Sequence, residues 1–486
     1  MHFFIRKLKR RHWLKVFLSL VLLSLVFLSV PLLRATDSKT GYPLPAPAKN
    51  ESHFGANIQR TMTLLATSNP KHRHPVRILF YGQSITKQDW WRDVADDLKQ
   101  RFPDADLIIE NRAIGGFDSS TLIRPAEHDL YPFYPDLLIF HVYGSEEDYE
   151  SIIANVRRRT TSEIAFHSDH ITWLPTLPFL NDEAKLNSYE WHEQHSLEWL
   201  PKIAEKYGCE LIEIREPWKQ YLKDNWLKPK DLLTDNIHLN DHGNFLLGKL
   251  VKRQLRYNPK FSNKAWNKLV KTYQVGKDVK WKNGKLILEF EGNRIDVIAA
   301  PVQDSQFSPA QILIDGKKPS EFPELYTITR PSNVVGVDWP AIIQVSSEKP
   351  LIVEDWTARI TEINADASQF KFEVFGSKTG FDGQGVSNEK FVSKSGRVVI
   401  EPRNWWLNSA YDYSGQPIPK GFEIKWQVKP MFVDNYVVPK IENSSKEHFT
   451  TLAQNLSNSK HQLEIIADNN QMVPIQAIRV YHPPLQ

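Results

Sequence analysis

The sequence predicts an α/β domain on a mostly parallel sheet, followed by an all-β region and preceded by one membrane-length apolar segment. Three observations carry that expectation. Apolar strand-like runs alternate with helical patterns between Val76 and Asn258, and strands separated by helices pair in parallel with both faces covered. Beyond Asn258, short alternating strands are punctuated by Gly, Pro, Asn and Asp, which is the style of an all-β sandwich. At the other end an uncharged run from Val16 to Leu33 is just long enough to cross a bilayer as a helix.

Composition narrows the function classes. A chain of 486 residues is long enough for two or three domains. Its 61 Lys plus Arg stand against 57 Asp plus Glu, a net charge of +4 spread over the length, which argues against nucleic acid as the main partner. The single cysteine, Cys209, excludes an intrachain disulfide framework and any multi-cysteine metal site. It lies in the strand-like run Cys209–Ile214 and reads as a small core residue. No metal and no cofactor are expected.

The N-terminal elements come first. Arg6, Lys7, Lys9, Arg10, Arg11 and Lys15 precede the apolar run and only Arg34 follows it immediately, an asymmetry that keeps the N-terminus inside and exports the rest. A cleaved signal peptide competes with a retained anchor, but its apolar core is usually shorter and no small-x-small site stands out before Thr36. Residues 1–12 are therefore read as a cytoplasmic basic segment and 13–34 as a single-pass transmembrane anchor, with a secreted protein as the outcome if the segment is cleaved. Residues 35–75 read as a linker, since Pro43, Pro45 and Pro47 favour extended chain. Within it Ile58, Met62 and Leu65 follow helical spacing and predict a short docking helix.

The α/β domain is assigned to residues 76–258. Its first strand, Arg77–Tyr81, breaks at Gly82-Gln83-Ser84, so Ser84 stands at a strand's carboxyl end, where open α/β sheets keep their chemistry. A nucleophile and a helix N-cap are both open to it. Asp106–Ile109, Asp136–His141 and Glu163–Phe166 read as further buried strands, and Trp90–Phe102, Ser196–Tyr207 and Asn244–Tyr257 as helices. Just before the last helix, Asp235 and His238 lie three residues apart. An imidazole that takes a serine's proton needs a carboxylate to fix its tautomer, and one turn here supplies both. The alternative is an aspartate helix cap beside a surface histidine.

Three stretches in order, Gly82-Gln83-Ser84-Ile85-Thr86, Asn111-Arg112-Ala113-Ile114-Gly115-Gly116 and Asp235-Asn236-Ile237-His238-Leu239-Asn240, resemble blocks of the SGNH (GDSL-type) hydrolase superfamily. The resemblance implies a three-layer, flavodoxin-like domain with Ser84 as nucleophile, His238 as base and Asp235 as its orienting carboxylate. It also implies an oxyanion hole containing the Ser84 and Gly116 amides. Gln83 departs from the family's usual aspartate, a variant that resembles the sialate O-acetylesterase group. The third block, normally Gly-x-Asn-Asp, matches Tyr143-Gly144-Ser145-Glu146-Glu147-Asp148 and holds no asparagine. Either Ser145 replaces that donor or the two amides suffice. Trp90, Trp91 and His141 are candidate walls of the substrate site, with core packing as the alternative. Asp169-His170 reads first as a strand-end pair and second as pocket lining or a metal pair.

Residues 259–486 form the β region. Lys285–Phe290, Arg294–Ile298, Gln311–Gly316, His461–Ile466 and Ile475–Tyr481 are strand signals, and the gap among them leaves about 320–450 as an inserted or second module. The strand phrases resemble jelly-roll accessory domains attached to carbohydrate esterases. Trp405, Trp406, Tyr411 and Tyr413 offer flat faces to sugar rings or fill the sandwich core. Taken together, the resemblance implies an exported serine esterase that removes small acyl groups, O-acetyl foremost, from a polysaccharide or glycoconjugate. An O-acyltransferase on cell-surface glycan and a catalytically retired glycan-binding protein are the alternatives.

Overall fold

The computed structural model describes residues 35–48, 51–175, 182–261, 268–301, 307–441, 443–468 and 472–486. The apolar run Val16–Leu33 lies outside them. Among the described residues no helix is long and apolar enough to cross a membrane. Residues 35–46 belong to a separate unit, a turn closed by the Thr36–Pro43 bridge.

The unit from Pro47 onward begins with helix α1, Gln59–Thr67, whose Met62 and Leu65 are buried together with the preceding Ile58. No side chain of its own caps this helix. Instead the buried Glu163 accepts from the N–H groups of Arg60 and Thr61 at 2.8 and 2.7 Å. Glu210 does the same one turn earlier, for Gly55 and Asn57 at 2.7 and 2.9 Å. Carboxylates at a helix N-terminus satisfy its orphan donors, so the stretch after Glu51 is tied to the sheet by two such caps.

The sheet and its helices follow in order: β1 Pro75–Gly82, α2 Trp90–Arg101, β2 Asp106–Asn111, β3 Leu137–His141, α3 Glu146–Arg159, β4 Glu163–His167, α4 Glu183–Gln194, α5 Leu200–Tyr207, β5 Glu210–Ile212, α6 Arg215–Asp224 and α7 Asp241–Gln254. A π-helical turn, His195–Trp199, joins α4 to α5. The five strands pair in parallel in the order β2-β1-β3-β4-β5, the doubly wound order of flavodoxin-like sheets. Alternation along β1 sends Val76, Ile78 and Phe80 into a core with α1, α2, α6 and α7. Leu79 and Tyr81 enter a second core with α3 and α5. Two apolar faces on one sheet produce three layers. Cys209 is buried in the second core, and burial pushes its thiol up to about 11.

The β region contains β6 Val270–Gln274, β7 Trp281–Lys282, β8 Lys285–Ala299, β9 Ala310–Ile314, β10 Tyr326–Ile328, β11 Asp355–Ile363, β12 Phe370–Gly376, β13 Gly380–Val386, β14 Phe391–Val392, β15 Val399–Ile400, the short helix α8 Leu407–Ser414, β16 Glu423–Pro430, β17 Asn435–Tyr436, β18 Phe449–Ile466 and β19 Ile475–Tyr481. One antiparallel sheet runs β17-β9-β18-β8-β19-β6, with β7 on β8, and another runs β10-β16-β11-β12-β13. The second sheet lies in sequence between β9 and β17, and each has its own core. Lys285–Phe290 and Arg294–Ile298 read as two strands but form one, β8. Gly292, at φ +152°, passes within 2.2 Å of the Tyr481 carbonyl oxygen as measured from an added Cβ, so the chain bends there without breaking.

Burial raises Glu163 from the usual 4.5 to about 7, with the Thr61 and Arg60 hydrogen bonds opposing it. The folded chain therefore holds a proton between about pH 4.5 and 7 that the unfolded chain has released, and stability falls as pH rises through that window. Thermal unfolding of the full-length chain followed from pH 5 to 7.5 checks this: the fall should be shallower in Glu163→Gln, whose amide does not titrate.

Candidate active site

The loop after β1 is shaped by a backbone crossing. Gly82 has φ +154°, and a Cβ there would lie 2.0 Å from the His141 carbonyl oxygen, so only glycine lets β1 turn this tightly against the end of β3. The same carbonyl accepts from Gln83 N–H at 3.4 Å and Thr86 Oγ1 at 3.2 Å. Ser84 opens the helical turn Ser84–Lys87 that follows. The Asn111–Gly116 stretch continues the β1–β2 pairing: Ile114 N–H donates to the Gly82 carbonyl at 2.9 Å, and Asn111 Nδ2 to the Thr86 carbonyl at 2.7 Å. Gly115 is thereby brought against Ser84, its added Cβ being 3.7 Å from Ser84 Cβ.

His238 approaches from the loop before α7. Its Nε2 lies 2.9 Å from Ser84 Oγ and its Nδ1 2.8 Å from Asp235 Oδ2. Asp235 Oδ1 accepts the Ile237 and His238 N–H groups at 2.7 and 2.8 Å. Those backbone donors, with the His238 side chain, hold the Asp235 carboxyl down at about 2. The carboxylate is 54 % exposed and His238 42 %, so solvent screens their attraction and the turn's hydrogen bonds fix the geometry. Five parallel strands, a serine after the first and an Asp-x-x-His turn before the last helix now stand together. The chain has an SGNH-type fold.

Two further side chains hold this arrangement in register. Gln88, four residues after Ser84, grips Leu239 by both peptide groups: its Oε1 accepts from Leu239 N–H at 3.0 Å and its Nε2 donates to the Leu239 carbonyl at 2.8 Å. His170 Nε2 contacts the Ile237 carbonyl at 2.9 Å and its Nδ1 the Tyr143 hydroxyl at 3.4 Å. Burial pushes His170 down to about 4, so it is neutral near pH 7 with one N–H, which faces Ile237 while the tyrosine hydroxyl donates to the other nitrogen. Neither side chain stands out in the sequence, because each acts through a backbone group distant along the chain.

The remaining expected site residues divide. Gly116, at φ +79°, lies against Trp339, whose Cζ2 would be 2.9 Å from an added Cβ. Among the described residues neither the Gly116 nor the Ser84 N–H has a hydrogen-bond partner. Ser145 has another task, for its Oγ caps α3 by accepting from Asp148 N–H at 3.3 Å. This contact uses a lone pair of the hydroxyl oxygen at a helix terminus and leaves its O–H uncommitted. Trp90 is a core residue, 1 % exposed, with Nε1 donating to the Ile85 carbonyl at 2.6 Å. Trp91 packs on Phe80 at 5.8 Å beside the same core. Trp90 is thus core and no substrate wall, while Trp91 stays half-buried with one side on the sheet. His141 is buried as well, 1 % exposed: its Nε2 bonds Asp169 Oδ1 at 3.0 Å and its ring stacks on His167 at 4.1 Å. The nucleophile turn covers it.

Asp169 is buried between His141 and His192, the latter at 2.5 Å. Burial would raise its carboxyl, but hydrogen bonds from those two histidines outweigh burial and hold it well below the usual range. Aromatic rings of the β region border the Gly115–Gly116 stretch. Trp339 Nε1 donates to the Gly115 carbonyl at 2.6 Å, and its ring lies 4.8 Å from that of Tyr413, which is 72 % exposed. Trp405 fills the module core against Phe370 and Phe372, and Trp406 packs on Phe117.

No family model matches the chain, and no curated protein does. Solved structures similar to it include a two-domain esterase (CEX) active on acetylated mannans, co-crystallised with mannopentaose, at 13 % identity, covering 90 % of this chain and 99 % of that one with a TM-score of 0.32. Axe2, an acetylxylan esterase from Geobacillus stearothermophilus, matches at 16 % identity over 39 % of this chain and 97 % of its own, again with a TM-score of 0.32.

The cap at Ser145 yields a test. Ser145→Ala should cost about 1 kcal/mol of stability, the usual loss of a serine N-cap, read as a lower urea midpoint with unchanged slope.

Proposed function

We propose that the chain is an exported serine esterase that removes small acyl groups, O-acetyl foremost, from a polysaccharide or glycoconjugate. The observation that carries this reading is the continuous line Ser84 Oγ, His238 Nε2, His238 Nδ1, Asp235 Oδ2, with contacts of 2.9 and 2.8 Å. Ser84 attacks the ester carbonyl as His238 takes its proton, and Asp235 stabilises the imidazolium and keeps the other nitrogen protonated. The free Ser84 and Gly116 amides face the developing oxyanion, where fixed dipoles stabilise charge without reorganising. His238 then returns its proton to the leaving sugar hydroxyl. In the second half-reaction it deprotonates a water that frees the acyl group from Ser84.

The glycan reading is supported by Trp339 and Tyr413 beside Gly115 and Gly116. Flat aromatic faces suit a pyranose ring, and an indole pinned by its N–H keeps one orientation. The N-terminal basic segment and apolar run support a membrane anchor with the site outside.

The full-length chain should hydrolyse an activated acetyl ester. Ser84→Ala should lower kcat by about a millionfold and His238→Ala by a similar factor, with the double variant no worse than either, since the pair acts as a unit. Equal turnover with and without Ser84 would overturn the reading. Gly116→Ala keeps the amide N–H but sets a Cβ 2.9 Å from Trp339 Cζ2 at φ +79°, so it displaces the amide, and kcat on the small activated ester should fall by up to about a hundredfold, the worth of one oxyanion donor. Trp339→Ala should raise KM on an acetylated oligosaccharide more than on the small activated ester. An equal rise on both would remove the indole from sugar binding.

A further inference from the structure

At the far end of the central sheet from Ser84, a cavity of about 230 Å³ lies between the α/β layers and the β region. Arg60 and Arg77 reach it from one side, and Arg294 and Arg479 from the other. Three of these guanidinium groups have carboxylates: Arg60 with Asp136 at 2.8 Å, Arg294 with Asp296 at 2.9 Å and Arg479 with Glu447 at 2.6 Å. Arg77 has none within ion-pair distance among the described residues. Its guanidinium rests on the face of Phe133 at 4.4 Å. Its enclosed Nε, like the enclosed Nη1 of Arg60, has no hydrogen-bond partner among the described residues.

An arginine stays protonated in proteins, so the part-buried lining of this cavity holds one positive charge more than the carboxylates paired with it. Burying a charge without a counter-charge is costly. Burial, reinforced by Arg294, holds the Arg77 pKa below its usual value. Planar guanidinium forks match anions that offer several oxygens. Four guanidinium groups lining one small cavity, one of them without a carboxylate, suit a compact tetrahedral oxyanion better than a single carboxylate.

We propose that this cavity is a phosphate site, in which a phosphate group is held by Arg60 and Arg77 on one side and by Arg294 and Arg479 on the other, and so ties the α/β domain to the β region. The group arrives as inorganic phosphate or as a phosphate monoester on a larger molecule, and the chemistry of recognition is the same. Ser84 follows the far end of β1 from Arg77, on the order of 20 Å away at strand rise, so the site is independent of the esterase reading.

Calorimetry on the full-length chain with inorganic phosphate, at constant ionic strength set by chloride, should give saturable binding of one phosphate per chain and a rise in Tm. Glycerol phosphate in a second arm distinguishes the sources: binding tighter than that of inorganic phosphate identifies a monoester as the natural occupant, and weaker binding identifies the free anion. Arg77→Gln should weaken phosphate binding by about tenfold to a hundredfold, the range for a lost charge-assisted hydrogen bond, and Ser84→Ala should leave it unchanged. Without phosphate, Arg77→Gln should match or exceed the wild-type Tm, because it removes an uncompensated charge. The proposal is overturned if the wild-type chain binds no phosphate saturably, or if Arg60→Gln and Arg77→Gln both bind it as the wild type does.

Discussion

The Ser84 site depends on one close approach, that of Gly82 to the His141 carbonyl. With a Cβ at Gly82 the two backbones would collide at 2.0 Å, and the strand could not turn where it does. That single carbonyl also receives the Gln83 N–H and the Thr86 hydroxyl, so the end of β3 serves as the seat of the nucleophile turn. Once the turn is seated, its next residues do the rest. Gln88 reaches Leu239 and draws the His238 loop into register, and Asn244 Oδ1 accepts from Trp90 N–H at 3.2 Å to join α7 to the start of α2. The Ser84–His238–Asp235 geometry is thus assembled by backbone contacts whose energy does not depend on the charge of those side chains.

That separation matters because two carboxylate–histidine pairs lie near one another with opposite environments. Asp235 is half exposed, and its low pKa comes first from two backbone N–H groups. Its orienting effect on His238 is therefore geometric more than coulombic, since water screens the pair. Asp169, by contrast, is buried between His141 and His192, where removing either histidine would strand a charge in low dielectric. The buried pair is suited to holding a scaffold, and the exposed pair stays open to solvent. His170 connects the two regions, reaching the Ile237 carbonyl from beside Asp169.

How much of this the sequence discloses follows from how local each feature is. Asp235 and His238 share one turn, and Ser84 follows a strand whose apolar run is unbroken, so short-range spacing is informative for all three. The alternation of strands and helices likewise discloses the parallel sheet. Trp90 misleads because a helix that begins immediately after the nucleophile turn can face its first residues either way, and Phe80 together with the Ile85 carbonyl draws Trp90 inward. His141 misleads for a related reason: a strand-end residue is ordinarily open, but here the next turn folds over it. Ser145 occupies the place of a family donor, and Ser-x-x-Asp at the start of a helical run is also a capping pattern, a second task that its oxygen performs. Trp339 carries no signal at all, since its contact with Gly115 joins positions 224 apart.

The contribution of Trp339 rests on how firmly the β10–β16 sheet is held to the α/β domain. Arg330 forks onto Asp129 with contacts of 2.6 to 2.9 Å and also donates to the Arg112 carbonyl, one residue before the Ala113–Gly116 stretch that borders Ser84. His128 lies between Ile328 and Val345: it accepts the Val345 N–H on Nε2, and this leaves Nδ1 as the donor to the Ile328 carbonyl. Burial lowers the His128 pKa, so the neutral tautomer that this arrangement needs is also the favoured form. Both anchors sit on the turns that lead from the Gly116 loop toward β3. The indole over Gly116 is therefore braced through the same segment of chain that presents the Gly116 amide. A shift of the β sheet would move that loop as well, so the Trp339 indole and the amide beside Ser84 are mechanically one element.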